Sequence, residues 1–227
     1  METMTPSNQT DNVVANKNEI RDFPKHKPVY EFIKRCFDIL FSAAALVLLS
    51  PIFLIISIAI KLHDGGPVLY VSQRVGKHGK RFNFYKFRSM CVDADEIYEK
   101  IKSQTKTSGP TFKLENDPRV TKVGKFLRKT SLDELPQFFN ILKGDMSFVG
   151  PRPPLVREVE EYDDYAMQRL TVTGGLTCFW QVMGRSNIDF KGMVELDLKY
   201  IEKRSIWTDI KILFMTIPAV FRGNGAY

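Results

Sequence analysis

Two adjacent carboxylates, Asp133 and Glu134, sit inside the run Thr130-Ser131-Leu132-Asp133-Glu134-Leu135-Pro136-Gln137. Asp117-Pro118-Arg119 and Arg128 precede them, and the stretch from Gly144 to Pro153, which contains Arg152, follows. A carboxylate is ionised at neutral pH, so it can hold a metal ion or attack phosphorus without first needing a base. Arginine suits the other half of such chemistry, because its planar fork grips phosphate oxygens in pairs. The spacing also has a plainer reading. Ser131-Leu132-Asp133-Glu134 is a capping-box pattern, which predicts a helix running to about Leu142 with Glu134 at its third position. An acid at Asp133 would favour the positive end of that helix, where backbone donors also bind phosphate. Capping and catalysis are both compatible with this spacing.

The elements that must position these residues belong to a chain of 227 residues, enough for one domain with appendages. At 44% hydrophobic and 26% charged, its composition is that of an ordinary globular chain with a core of useful size. A formal charge of +7 favours an anionic partner such as lipid headgroups, nucleotides or nucleic acid. Cys36, Cys91 and Cys178 are too few and too scattered for a disulfide framework or a zinc site, and read as reduced thiols. Residues 1–29 are polar and predicted to be a disordered tail, without the early apolar stretch of a signal peptide.

From Phe37 to Ile60 every residue is apolar or small except Asp38, with Ser42, Ser50 and Ser57 the mildly polar members. About 24 residues of helix reach roughly 36 Å, enough to cross a hydrocarbon core of about 30 Å. A plain transmembrane helix is therefore one reading. Ser50-Pro51 at its middle argues for another, because proline removes a backbone donor and kinks the helix. The serine hydroxyl can satisfy part of what the proline frees. Positive residues flank both ends: Lys25, Lys27, Lys34 and Arg35 before, Lys61, Arg74, Lys77, Lys80 and Arg81 after. Positive charge favours the cytoplasmic side. A helix over 30–62 that enters, bends at Ser50-Pro51 and leaves on the same face satisfies both flanks.

The remainder, 63–227, reads as one mainly helical domain with a β-hairpin, an α+β arrangement. The hairpin strands are Val68 to Val71 and Arg81 to Phe87, joined by a turn at Gly76 to Lys80. A helix is expected over Val92 to Lys102, then a flexible Thr/Ser/Lys-rich stretch to Gly109-Pro110, and a turn at Asp117-Pro118. Leu155 to Leu170 reads as one helix with an acidic face, and Lys191 to Lys203 as another, with breaks at Thr173-Gly174-Gly175 and Gly184-Arg185-Ser186. The segment Thr208 to Arg222 fits either a core helix or an amphipathic helix in the headgroup region, with Trp207 as its interfacial anchor.

In order, Ser50-Pro51, Lys86-Phe87-Arg88-Ser89-Met90, Asp117-Pro118-Arg119, the Ser131 to Gln137 run and Lys143 to Pro153 resemble the motifs of the monotopic phosphoglycosyl transferases. These are bacterial sugar transferases that initiate glycoconjugate assembly on a polyprenyl phosphate. Trp180-Gln181-Val182, Gly184-Arg185 and Glu195-Leu196-Asp197 extend the resemblance, which covers about Tyr30 to Phe221. It implies a re-entrant membrane helix and a domain on the cytoplasmic face of the bacterial inner membrane. It also implies transfer of a sugar 1-phosphate from a UDP-sugar donor to a polyprenyl (undecaprenyl) phosphate acceptor, with release of UMP. Asp133 matches the family's nucleophile, forming a covalent aspartyl intermediate, and Glu134 its magnesium-binding residue. Arg128 and Arg152 match phosphate- and nucleotide-contacting positions, Arg185 another active-site motif, and Asp197 an acidic family position. The implied partners are donor, acceptor and membrane, with a homo-oligomer compatible and no nucleic acid.

The chain departs from the family where Pro-Gly and then Thr-Gly are usual: it reads Gly174-Gly175-Leu176-Thr177-Cys178. Two other readings compete with the transferase. A nucleic-acid or lipid-binding module would use the interleaved aromatic and basic residues of Arg81 to Arg88; the acidic run from Glu158 to Asp164 and the lack of a nucleic-acid motif oppose it. A non-catalytic scaffold would use Asp133-Glu134 only as a helix cap.

Overall fold

The computed structural model describes Arg21, Phe23, residues 27–101, Leu114, residues 117–184 and residues 188–222, the last two by backbone alone. The Thr/Ser/Lys-rich stretch, Arg185 and most of the expected tail lie outside these. The apolar segment forms two helices, α1 (Pro28–Leu48) and α2 (Ser50–Asp64), bent by 59° at the break between them. The cause is local. Pro51 has no N–H to offer the carbonyl of Val47 one turn back, and the Ser50 hydroxyl donates to that carbonyl instead at 2.7 Å. No single described helix is long and apolar enough to cross a membrane, though the bent pair passes that test together.

The hairpin forms as expected. Strand β1 (Leu69–Val75) pairs antiparallel with β2 (Arg81–Phe87), Leu69 opposite Phe87 and Val75 opposite Arg81. Period-two alternation turns Phe82, Phe84 and Lys86 to one face, and Phe87 to the other. Two further strands, β3 (Ser147–Val149) and β4 (Gly175–Thr177), pair in parallel, an element the sequence reading did not contain. Their backbones lie so close that a Cβ at Gly175 would stand 2.1 Å from the Gly150 nitrogen. The expected break at Gly174-Gly175 is thus a packing requirement.

Helices α3 (Ala94–Ile101), α4 (Lys122–Lys129) and α5 (Gln137–Lys143) follow the hairpin, and α9 (Phe190–Lys203) and α10 (Ile206–Arg222) close the chain. Between them the predicted helix over 155–170 is instead two single turns, α6 (Val156–Val159) and α7 (Asp164–Met167), and a 3-10 turn over Gln168–Thr171. The reason is capping. Glu158 folds back to accept the Leu155 N–H at 2.8 Å, and extended Asp163 accepts the Ala166 N–H at 2.7 Å, restarting the helix. The short α8 (Phe179–Met183) leads out of β4. Three apolar clusters hold these parts together. The largest sets α9 and Ile212 of α10 against Val149, the second sets Ile56 and Ile60 of α2 against Phe87 and Leu127, and the third joins Phe82 and Phe84 to Ile141 and Met146.

Both ends of the bent pair are bonded to this one body. At the start, Lys34 pairs with Asp209 of α10 at 2.6 Å, and Arg35 donates to the carbonyls of Ile141 and Leu142 at the end of α5. Asp38, buried in α1, accepts from the Ser147 hydroxyl and the Phe148 N–H, both at 3.0 Å. At the far end Asp64 is clasped by the Arg88 guanidinium, which also donates from Nε to the Pro67 carbonyl at 2.5 Å. The expected tail differs at its near end: Arg21 pairs with Glu195, Phe23 packs on the largest cluster and Lys27 donates to the Arg204 carbonyl.

Candidate active site

Asp133 and Glu134 lie on a 3-10 turn, Leu132–Glu134, between α4 and α5. The capping box does not form. Ser131 takes a left-handed backbone (φ 57°), and its N–H is already given to the Arg128 carbonyl at 3.1 Å. Pro136 then separates this turn from α5, so the continuous helix to Leu142 is also corrected. Released from capping, the Glu134 carboxylate turns to Lys86 and Arg152. Its Oε1 accepts from Lys86 Nζ at 2.8 Å and from Arg152 Nη2 at 2.5 Å. Asp133 is 6% exposed, and its Oδ2 lies 3.5 Å from the same Lys86 Nζ.

Each partner is fixed from behind. Lys86 follows Phe82 and Phe84 on the inward face of β2, and its ammonium lies 5.8 Å from the centre of the Phe84 ring. Arg152 and Arg74 crowd the same ring, and Arg74 donates to the Pro153 carbonyl at 3.0 Å. Arg128, on the last turn of α4, donates from Nε to the Ser89 hydroxyl at 2.9 Å. α4 packs there so tightly that a Cβ on Gly124 would meet the Ser89 carbonyl oxygen at 1.8 Å.

Burial and charge oppose each other at the pair. Burial would raise the Glu134 pKa, but Arg152 and Lys86 override it and hold the carboxyl well below its usual range. Burial raises Asp133 above the ordinary aspartate value; Lys86 pulls it back and Glu134 pushes it further up. One carboxylate is thus firmly ionised while its neighbour is less stabilised as an anion. Arg74 is pushed down to about 10 by burial and then by Arg152 beside it.

Asp133, Glu134, Arg128 and Arg152 line one cavity of about 1050 Å³, together with Lys86, Arg74 and Arg119. Asp197 does not line it. It is wholly buried in α9, where Arg169 clamps it at 2.7 Å, and burial raises its pKa to about 6 against the pull of Arg169 and Trp180. Its place is behind the cavity, next to Trp180, which does line it. Cys178 is also fully buried, its thiol 3.1 Å from Gln181 Oε1, and Gly174 lies against Pro153, whose Cγ a Cβ would meet at 2.6 Å. The departures of this loop are thus packed into the wall that carries Arg152.

In sequence, Lys86 stands within a motif without a role of its own, and Arg74 is one of the charges that flank the apolar segment. The alternation Phe82, Phe84, Lys86 was the signal for the first, since it puts a lysine in an inward register. Among the described residues no three His, Cys, Asp or Glu converge on a metal position. The donor set nevertheless fits magnesium, which takes one or two carboxylates and draws its other ligands from phosphate and water. Glu134 would hold it, with Asp133 beside it.

A family model described as bacterial sugar transferase matches residues 29–223. A galactosyl transferase, CpsE, of Streptococcus agalactiae is 54% identical over 164 residues, covering 72% of this chain and 36% of that protein. The undecaprenyl-phosphate galactose phosphotransferase of Salmonella typhimurium is 46% identical over 200 residues, covering 86% of this chain and 42% of its own. The exopolysaccharide production protein ExoY of Rhizobium meliloti is 43% identical over 205 residues, covering 88% of this chain and 91% of its own. The chain therefore spans less than half of the first two relatives and nearly all of the third.

Proposed function

The chain belongs to the bacterial sugar transferase family, and from that premise we propose that it moves a sugar 1-phosphate from a UDP-sugar to undecaprenyl phosphate at a membrane, an opening step of exopolysaccharide synthesis. The observation that carries this reading is the convergence of Asp133 and Glu134 with Lys86, Arg128 and Arg152 in one cavity. A carboxylate pair outnumbered by fixed cations suits a doubly charged pyrophosphate and a nucleophile that would otherwise repel it.

In the first step an Asp133 carboxylate oxygen attacks the phosphorus that bears the sugar. The bond from that phosphorus to the bridging oxygen breaks, UMP leaves with the electron pair, and an acyl phosphate joins Asp133 to the sugar phosphate. In the second step an oxygen of the lipid phosphate attacks the same phosphorus, and the Asp133 carboxylate is released. No proton need move in either step. Arg128 and Arg152 orient and neutralise the phosphate oxygens, and Lys86 holds both carboxylates in place. Magnesium, when bound at Glu134, supplies further charge neutralisation on the donor.

The bent pair supports a membrane-facing anchor. Phe32, Phe41, Leu48, Leu54 and Ile55 are exposed on it, as are Trp207, Phe214 and Ile217 on α10. A helix crossing a bilayer parts its ends by about 30 Å, whereas here Lys34, Arg35 and Asp64 are bonded to the same body. That favours a re-entrant anchor, and the positive residues flanking both ends of the pair support the cytoplasmic face of a bacterial inner membrane. The test is UMP release across a panel of UDP-sugars, UDP-galactose first, with undecaprenyl phosphate and magnesium. Sustained release, beyond one equivalent per protein, that depends on both donor and lipid is expected from the wild type and not from Asp133→Asn; equal release by both proteins would overturn the reading.

A further inference from the structure

The cavity is lined by two chemically different sets of side chains. Lys86 and Arg152 meet the Asp133-Glu134 pair. Leu176 of β4, Val182 of α8, and Leu213, Ala219 and Val220 of α10, a helix packed on both β4 and α8, form an apolar wall. Among the described residues, the polar side chain that α10 adds there is already satisfied, because the Thr216 hydroxyl donates to the Ile212 carbonyl at 2.7 Å and bonds the Thr177 hydroxyl at 2.8 Å. Leu213 lines the cavity and is also exposed, and it adjoins the exposed Phe214 and Ile217. The apolar wall is therefore continuous with an apolar outer surface.

A nucleotide sugar is polar along its length apart from the faces of its base, so this wall matches the second substrate better than the first. We infer that the face of α10 formed by Leu213, Ala219 and Val220 is the acceptor channel, holding the first isoprene units of a lipid monophosphate whose phosphate reaches Asp133 beside Arg152. This rests on the transferase reading above. The channel gives the two substrates separate approaches to one phosphorus: the nucleotide against the basic residues, the lipid along α10 from the apolar surface. It also explains why α10 is packed directly on β3, β4 and α8 instead of trailing as a free anchor.

The two half-reactions separate this inference from its premise. With donor alone the wild type should release one equivalent of UMP as the Asp133 adduct forms; with no such burst the transferase mechanism itself fails, and the channel with it. Ala219→Trp fills the channel, and Leu213→Gln makes its partly exposed mouth polar with little burden on folding. Both variants should keep the donor-only burst while their KM for undecaprenyl phosphate rises about tenfold or more, with a smaller rise for a short, water-soluble prenyl phosphate. An unchanged lipid KM would overturn the channel. So would loss of the burst in Leu213→Gln or a raised KM for the UDP-sugar, which would assign this wall to the nucleobase.

Discussion

Asp133 and Glu134 are neighbours in sequence but not equivalents in chemistry, and the difference lies in what faces them. Glu134 is fixed as an anion by Arg152 and Lys86, while burial raises Asp133. The proposed attack needs Asp133 deprotonated, so the rate should fall as pH falls, with a midpoint above the ordinary aspartate value of about 3.9. Lys86 is the largest influence lowering that pKa. Lys86→Met should therefore move the acid limb of kcat/KM to higher pH as well as slowing the reaction; an unmoved limb would mean that another group controls it. Asp133→Asn should cost about a thousandfold or more in donor-dependent UMP release without loss of fold. Asp197 makes the opposite case, because its partner is structural. Its pKa of about 6 in the folded chain exceeds that of a free aspartate, so its contribution to stability is complete at low pH and lost as pH rises through 6. Removing one partner of a buried pair costs about 3–5 kcal/mol. Arg169→Met should lower the unfolding free energy by that order, read as a lower melting temperature, while Asp133→Asn leaves the melting temperature nearly unchanged.

At the scale of elements, the carboxylate turn is only as well placed as α4 and α5 on either side of it. α4 rests on the exit of β2 through Gly124, and α5 is held at its far end by Arg35 of α1. Gly124→Ala should push α4 away from Ser89, loosen Arg128, and cost about 1–3 kcal/mol, read as a lower melting temperature together with a raised KM for the UDP-sugar. A normal KM in a destabilised variant would mean that Arg128 does not need this seat. The hairpin, α9, α10 and the break at Ser50-Pro51 were legible because each is written locally, in alternation, helical period or a missing donor. The capping box misled because Ser131 adopts a left-handed turn and Glu134 prefers two cations brought from residues 48 behind and 18 ahead of it. The helix expected over 155–170 failed for a reason that was present in the sequence: Asp163 is a cap inside the run. The pairing of β3 with β4 left little trace, since each strand has three residues and their contact depends on glycines.

For the whole molecule, an apolar bent pair is joined to a basic cavity through fixed bonds, so in the proposed arrangement the depth of the anchor would set the height of Asp133. Single cysteines placed at Val29 and Leu62 in a chain freed of its native thiols should label from the same side of sealed membrane vesicles; labelling from opposite sides would mean a crossing helix. Pro51→Leu restores the missing N–H and should let the pair straighten, moving the Leu62 site to the far side in part of the population. The most direct measurement concerns the bond on which both half-reactions depend. The protein is incubated with magnesium and a UDP-sugar that it turns over, without lipid, then quenched and analysed by peptide mass spectrometry. The expected result is a sugar-phosphate mass increase on the peptide carrying Asp133, lost on adding undecaprenyl phosphate and missing in Asp133→Asn. An unmodified Asp133 in a preparation that turns over with both substrates would contradict the account.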